Sequence, residues 1–110
     1  MKKKYIVKST RCFNNIISNG YYNSNEYAKV YRMPNQQTHA RFGIAVPKKL
    51  GNAVLRNEIK RQVKEIIRTN MHLFEGSLYD YIIIINNSFV KLKFNDKIKM
   101  LQRAMIKEQT

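Results

Sequence analysis

Acidic residues are scarce in this 110-residue chain: seven Asp and Glu stand against 21 Lys and Arg, giving a formal charge of +14 and a pI of about 10.1. Such an excess of one sign calls for a polyanionic partner or a reason to tolerate self-repulsion. The seven carboxylates, Glu26, Glu58, Glu65, Glu75, Asp80, Asp96 and Glu108, are scattered along the chain, which argues against the clustered acidic site of a stand-alone, metal-dependent nuclease. Cysteine occurs once, at Cys12, so neither an intramolecular disulfide nor a thiolate zinc site can form. With no supporting histidine motif, Cys12 reads as a buried structural thiol in a reducing, cytoplasmic setting.

Proline and glycine are also few, two and four, and there is no Ser-rich tract or internal repeat. Residues 1 to 110 therefore read as one domain, with residues 1 to 8 as a flexible basic arm. No run of about eighteen apolar residues occurs, and Tyr5-Ile6-Val7 is too short for a signal peptide, so no membrane partner is expected. His39 and His72 lie far apart without ligand-like neighbours, so neither a metal site nor a histidine acid–base pair is expected.

Against these absences, hydrophobic residues make up 44% of the chain, including seven Tyr and five Phe, enough to fold a modest core. Ser9 or Thr10 can cap a first helix with Cys12, Phe13, Ile16 and Ile17 at helical spacing, and Asn19-Gly20 supplies a left-handed stop. From Tyr21 to Met33 the pattern turns to strand, with Tyr27, Lys29 and Tyr31 on one face and Ala28, Val30 and Arg32 on the other. After a polar turn over Pro34 to His39, Arg41 to Val46 forms a strand with Phe42, Ile44 and Val46 on one side, ended by Pro47.

Asn52 is a plausible N-cap for the longest helix, which runs to about Asn70 without Gly or Pro. Its buried stripe comprises Leu55, Ile59, Val63, Ile66 and Ile67. Asn57, Arg61, Lys64 and Arg68 form one file on the opposite side, with Lys60 beside it and Arg56 nearer the core boundary. Four consecutive isoleucines in Asp80 to Ile85 suit a strand buried on both faces. A final helix over Asn95 to Lys107 buries Ile98, Leu101 and Met105. The expected fold is an α+β sandwich on one central, mainly antiparallel sheet of about four strands, in the order α-β-β-β-α-β-α.

Mutual repulsion among Lys60, Arg61, Lys64 and Arg68 opposes helix formation, and only Glu58 and Glu65 are near enough to offset it. Contact with phosphates explains such a file better than a solvated face with no partner. Tyr27, Tyr31 and Phe13 add ring faces on which unstacked bases can lie. These features favour RNA binding over catalysis by side chains.

The segment Arg41 to Arg68, RFGIAVPKKLGNAVLRNEIKRQVKEIIR, closely resembles the protein component of bacterial ribonuclease P. It has that family's strand ending in Lys48-Lys49, then Gly51, then a helix carrying Arg56-Asn57, Lys60-Arg61, Lys64 and Arg68. Weaker similarity in the Phe13 to Gly20 spacing, the Tyr27 to Tyr31 strand and the Asp80 to Ile84 strand extends the match over nearly the whole chain.

The resemblance implies a sheet with helices on one side and a left-handed βαβ crossover through the long helix. It implies a subunit of an endoribonuclease holoenzyme that removes the 5′ leader of precursor tRNA, with Mg²⁺ bound mainly by the RNA subunit, which performs the chemistry. No catalytic side chain, protein-held metal, organic cofactor or obligate protein partner is then expected. Carried over by position, Lys48, Lys49, Arg56, Asn57, Lys60, Arg61, Lys64 and Arg68 would face the ribonuclease P RNA. Phe13, Ile17 and Tyr31 would line a cleft for the single-stranded leader of precursor tRNA.

Four departures modify the expectation. Ile17 stands where an aromatic is common, shifting stacking toward Tyr31; Glu58 replaces a residue that is often basic; Pro47 removes a hydroxyl and a backbone donor; and Asn86-Asn87-Ser88 lacks the basic residue and proline often found there. The alternative is a ribosomal or general RNA-binding protein, which would share the charge without discriminating a leader.

Overall fold

The computed structural model describes residues 2 to 106. Its elements are α1 (Thr10–Asn19), β1 (Tyr21–Ser24), β2 (Ala28–Pro34), β3 (Arg41–Ala45), α2 (Ala53–Thr69), β4 (Tyr79–Ile85), a single turn α3 (Asn87–Val90) and α4 (Phe94–Ile106). Short 3-10 turns occupy Lys3–Tyr5, Lys48–Leu50 and Met71–Phe74. The four strands form one sheet in the order β1-β2-β4-β3, antiparallel at β1/β2 and β2/β4 and parallel at β3/β4. The fold is α+β, with α2 connecting the parallel pair.

Strand β4 takes the central place because its isoleucines tolerate burial on both faces. Tyr81, Ile83 and Ile85 point into a large core with Val30, Phe42, Phe89, Leu101 and the α2 residues Ile59, Val63, Ile66 and Ile67. Ile82 and Ile84 point the other way, into a smaller cluster with Val7 and Ile16. Helix α1 therefore covers one sheet face, while α2 and α4 cover the other. This corrects the expectation of helices on one side only: α1 also has an apolar stripe, and the second face of β4 is what buries it.

Local chemistry sets the boundaries. The Ser9 hydroxyl accepts from the Cys12 amide at 3.3 Å, and the Asn52 side chain accepts from the Leu55 amide at 2.9 Å, capping α1 and α2 as expected. Gly20, expected as a left-handed stop, has φ −78° instead. Its glycine identity answers a close approach, since a Cβ there would lie 2.5 Å from the Ile16 carbonyl oxygen and 2.6 Å from that of Arg32. Gly51, at φ +150°, is the position where the chain uses glycine's conformational freedom to leave the basic 3-10 turn.

Several expectations change. The stretch from Tyr21 to Met33 is a hairpin, because the Asn25 side chain accepts from the amides of Tyr27 and Ala28 at 2.8 and 3.0 Å and folds residues 25 to 27 into a turn. Tyr27 precedes β2 and packs on the large core, away from Tyr31. Leu55 is 40% exposed because the first turn of α2 projects past the buried stripe, and its side chain lies over Gly51. The last helix begins at Phe94, and Lys107 lies outside the described residues.

Residues 3 to 7, expected within a flexible arm, are docked: Ile6 bridges to Phe42, the Val7 amide donates to the Phe42 carbonyl at 2.9 Å, and Val7 is buried. This segment covers part of the open edge of β3. Cys12 is half-buried at the margin of the smaller cluster. Among the described residues, no helix is long and apolar enough to cross a membrane.

Candidate nucleic-acid interface

The basic file stands clear of the core. Burial of Ile59, Val63, Ile66 and Ile67 against the sheet fixes the rotation of α2, which leaves Asn57, Arg61, Lys64 and Arg68 exposed. Lys48 and Lys49 are exposed on the turn that leads into the helix. Arg56 is half-buried, and its Nε donates to the Gly51 carbonyl at 3.2 Å, bracing the junction between turn and helix.

Two carboxylates temper the repulsion along this helix. Arg61 pairs with Glu58, and Arg68 makes a two-pronged contact with Glu65, Nε to Oε2 at 3.0 Å and Nη2 to Oε1 at 2.5 Å. The Arg68 contact holds the Glu65 carboxyl below its ordinary range and the Arg68 guanidinium above its own. Both pairs are exposed and therefore weakly held. Lys60 is half-buried and turns away from the outermost file.

Lys60 and Lys64 of α2, Phe13 of α1 and Phe42, Gly43 and Ile44 of β3 together line a cleft of about 180 Å³, with the Phe13 ring lying over Gly43. Gly43 permits this closeness: a Cβ there would meet Ile82 Cδ1 at 2.7 Å and Phe13 Cε2 at 3.0 Å. The two residue sets that the sequence treats separately, aromatic and basic, thus meet at Phe13. Phe13, Ile17 and Tyr31 all border the smaller cluster under α1 and are each half-buried.

Across β1 and β2, Tyr22 pairs with Tyr31 in register and stacks on its ring, centroids 5.4 Å apart. Sequence reasoning missed Tyr22 and gave Tyr27 its place. The available signal was the Asx-turn residue Asn25, which splits the stretch into two strands and resets which tyrosines share a face.

A bidentate pair locks the far end of β3. Arg41 donates from Nε to Asp80 Oδ1 at 2.8 Å and from Nη2 to Oδ2 at 2.5 Å, and Asn35 Nδ2 donates to the same Oδ1 at 2.8 Å. His39 is half-buried, its Nε2 2.7 Å from the Lys4 carbonyl oxygen, while His72 is exposed. Among the described residues no three His, Cys, Asp or Glu side chains gather as a metal-binding group.

Residues 1–109 match the family model described as Ribonuclease P. The chain belongs to the ribonuclease P protein family. It is 36% identical over 107 residues to the ribonuclease P protein component of Mesoplasma florum, covering 97% of each chain. To that of Exiguobacterium sibiricum it is 42% identical over 96 residues, covering 84% of this chain and 79% of the relative.

Solved members share the fold. A Staphylococcus aureus RNase P protein mutant with defective mRNA degradation activity superposes with TM-score 0.89 at 30% identity, over 97% of this chain and 90% of that one. The RNase P protein of Thermotoga maritima superposes with TM-score 0.85 at 27% identity, over 93% and 96%. Within this ribonuclease P fold, the family signature in Arg41 to Arg68 borders the cleft through Phe42, Gly43, Ile44, Lys60 and Lys64 as well as forming the outer helix face.

Proposed function

We propose that this chain acts as the protein subunit of ribonuclease P, binding the RNA subunit and the 5′ leader of precursor tRNA to promote endonucleolytic 5′ maturation. Lys48, Lys49, Arg56, Asn57, Lys60, Arg61, Lys64 and Arg68 would engage the phosphates of the RNA subunit. Phe13, Ile17 and Tyr31 would take the single-stranded leader, whose unstacked bases need ring and apolar faces. The observation that carries this reading is the shared cleft of Phe13 with Lys60 and Lys64, which puts a base-stacking ring and two phosphate-binding cations within reach of one strand.

The protein's role is electrostatic positioning. Screening phosphate repulsion between leader and RNA subunit lowers the Mg²⁺ concentration needed for assembly and cleavage. In this proposal Mg²⁺ is held mainly by the RNA subunit, as the resemblance implies.

Cleavage of a precursor tRNA at low Mg²⁺, with RNA subunit alone, protein alone and both together, tests the reading. Activity only with both supports it. Activity with protein alone would place the chemistry in the polypeptide, and tight RNA binding without stimulation would favour a general RNA-binding protein.

A further inference from the structure

The sheet face beneath α1 extends one strand beyond Tyr31. Tyr22 of β1 stands directly opposite Tyr31 in the antiparallel register, and the two rings stack with centroids 5.4 Å apart and planes 27° from parallel. Tyr31 is half-buried at the margin of the α1 cluster, whereas Tyr22 is 62% exposed. A ring held by a stacked neighbour and still largely open to water offers a rigid π surface at low entropic cost. Lys29 lies two residues before Tyr31 on the same strand face and is exposed, beside the next cross-strand position, Ser24.

We propose that Tyr22 forms a further nucleobase subsite, at which a base of single-stranded RNA stacks on the tyrosine ring while Lys29 approaches the adjoining phosphate. The inference rests on the reading that the precursor's leader lies in the α1 cleft, and it places one more leader base toward the β1 edge than Phe13, Ile17 and Tyr31 provide. The stacked pair also compensates for the aliphatic Ile17, which supplies no ring face.

The opposite face of the same strand supplies the control. Tyr21 is 67% exposed, but it pairs with Arg32, whose guanidinium lies 5.7 Å from the Tyr21 ring centre and 4.9 Å from that of Tyr79, on the sheet face away from α1.

The test assembles the full chain with its RNA subunit and measures Kd for precursor tRNAs whose leaders are shortened stepwise or carry a single abasic site. Tyr22→Ala is expected to weaken long-leader binding by roughly tenfold and to leave mature tRNA unaffected. The loss should vanish once the leader is too short to reach the subsite, or when one particular base is abasic. Tyr22→Phe should bind as the native chain does, and Tyr21→Ala should discriminate leaders as the native chain does.

A Tyr22→Ala chain that discriminates leaders like the native one, while Tyr31→Ala does not, would overturn the subsite and leave the cleft standing. If neither substitution alters leader dependence, both readings fall. A loss equal for precursor and mature tRNA would assign Tyr22 a structural role and overturn the subsite.

Discussion

The half-buried Tyr31 packs at the margin of the α1 cluster and stacks on Tyr22, its direct partner across the β1–β2 ladder. Tyr31→Ala therefore removes the inner member of a two-ring platform. It should weaken binding of precursor tRNA by about 1 to 3 kcal/mol if a base stacks there, with mature tRNA unaffected. Parallel Kd measurements on the two RNAs check this, and equal losses would count against the cleft.

Arg61 and Lys64 lie on the same exposed file, and among the described residues Arg61 pairs with the Glu58 carboxylate. Arg61→Ala with Lys64→Ala should lower affinity for the RNA subunit and flatten the dependence of log Kd on log salt by roughly one unit per lost phosphate contact. Glu58→Ala should act in the opposite direction, tightening binding by freeing Arg61 and raising the local potential. Titrations between low and moderate salt check both, and an unchanged slope in the double variant would refute the phosphate role.

Asp80 is buried on β4 and accepts from both Arg41 and Asn35. Its pairing with Arg41, which lies opposite it in the parallel register, ties β3 to the sheet and raises the Arg41 guanidinium above its ordinary range. Asp80→Asn leaves that cation half-buried without its counter-charge, and should cost about 2 to 3 kcal/mol of folding stability. Urea unfolding gives the number; a change below about 0.5 kcal/mol would show that solvent replaces the pair.

Lys97 is buried where α4 meets α2, donating to Gln62 Oε1 at 2.7 Å with the Phe89 ring 5.5 Å away. Burial pushes its ammonium below the ordinary lysine range, with Glu58 opposing part of the shift. In the alkaline window below 10.5 the unfolded chain thus binds more protons at this position than the folded one, so this residue's contribution makes stability rise with pH. Lys97→Met should remove that rise. Comparing native and variant unfolding at about pH 7 and about pH 10 isolates it, and identical pH profiles would exclude the linkage.

The legible parts of this protein were those governed by one element at a time. Helix α2 follows from an uninterrupted helical stretch, the Asn52 cap and the spacing of Ile59, Val63, Ile66 and Ile67, and the same periodicity turns Asn57, Arg61, Lys64 and Arg68 to solvent. The isoleucine run placed β4 at the centre of the sheet because each of its faces needs an apolar cover. Leu55 went astray because helical spacing says nothing about where the neighbouring sheet stops.

Errors gathered where two elements must be registered against each other. One side-chain turn at Asn25 moved Tyr27 to the large core and brought Tyr22 onto Tyr31. Strand faces alternate every residue, so a turn unrecognised by sequence pattern reassigns whole sets of side chains.

The charge, the helical and strand periods and the family signature were all legible before folding, because each depends on residue identity and short-range spacing. Long-range assembly settled that α1 packs opposite α2 and α4, that residues 3 to 7 dock along β3, and that Phe13, Lys60 and Lys64 line one cleft. Those contacts depend on which sheet face or edge still has apolar surface and backbone groups to cover. That is settled by the assembly of the strands and is encoded in no single segment.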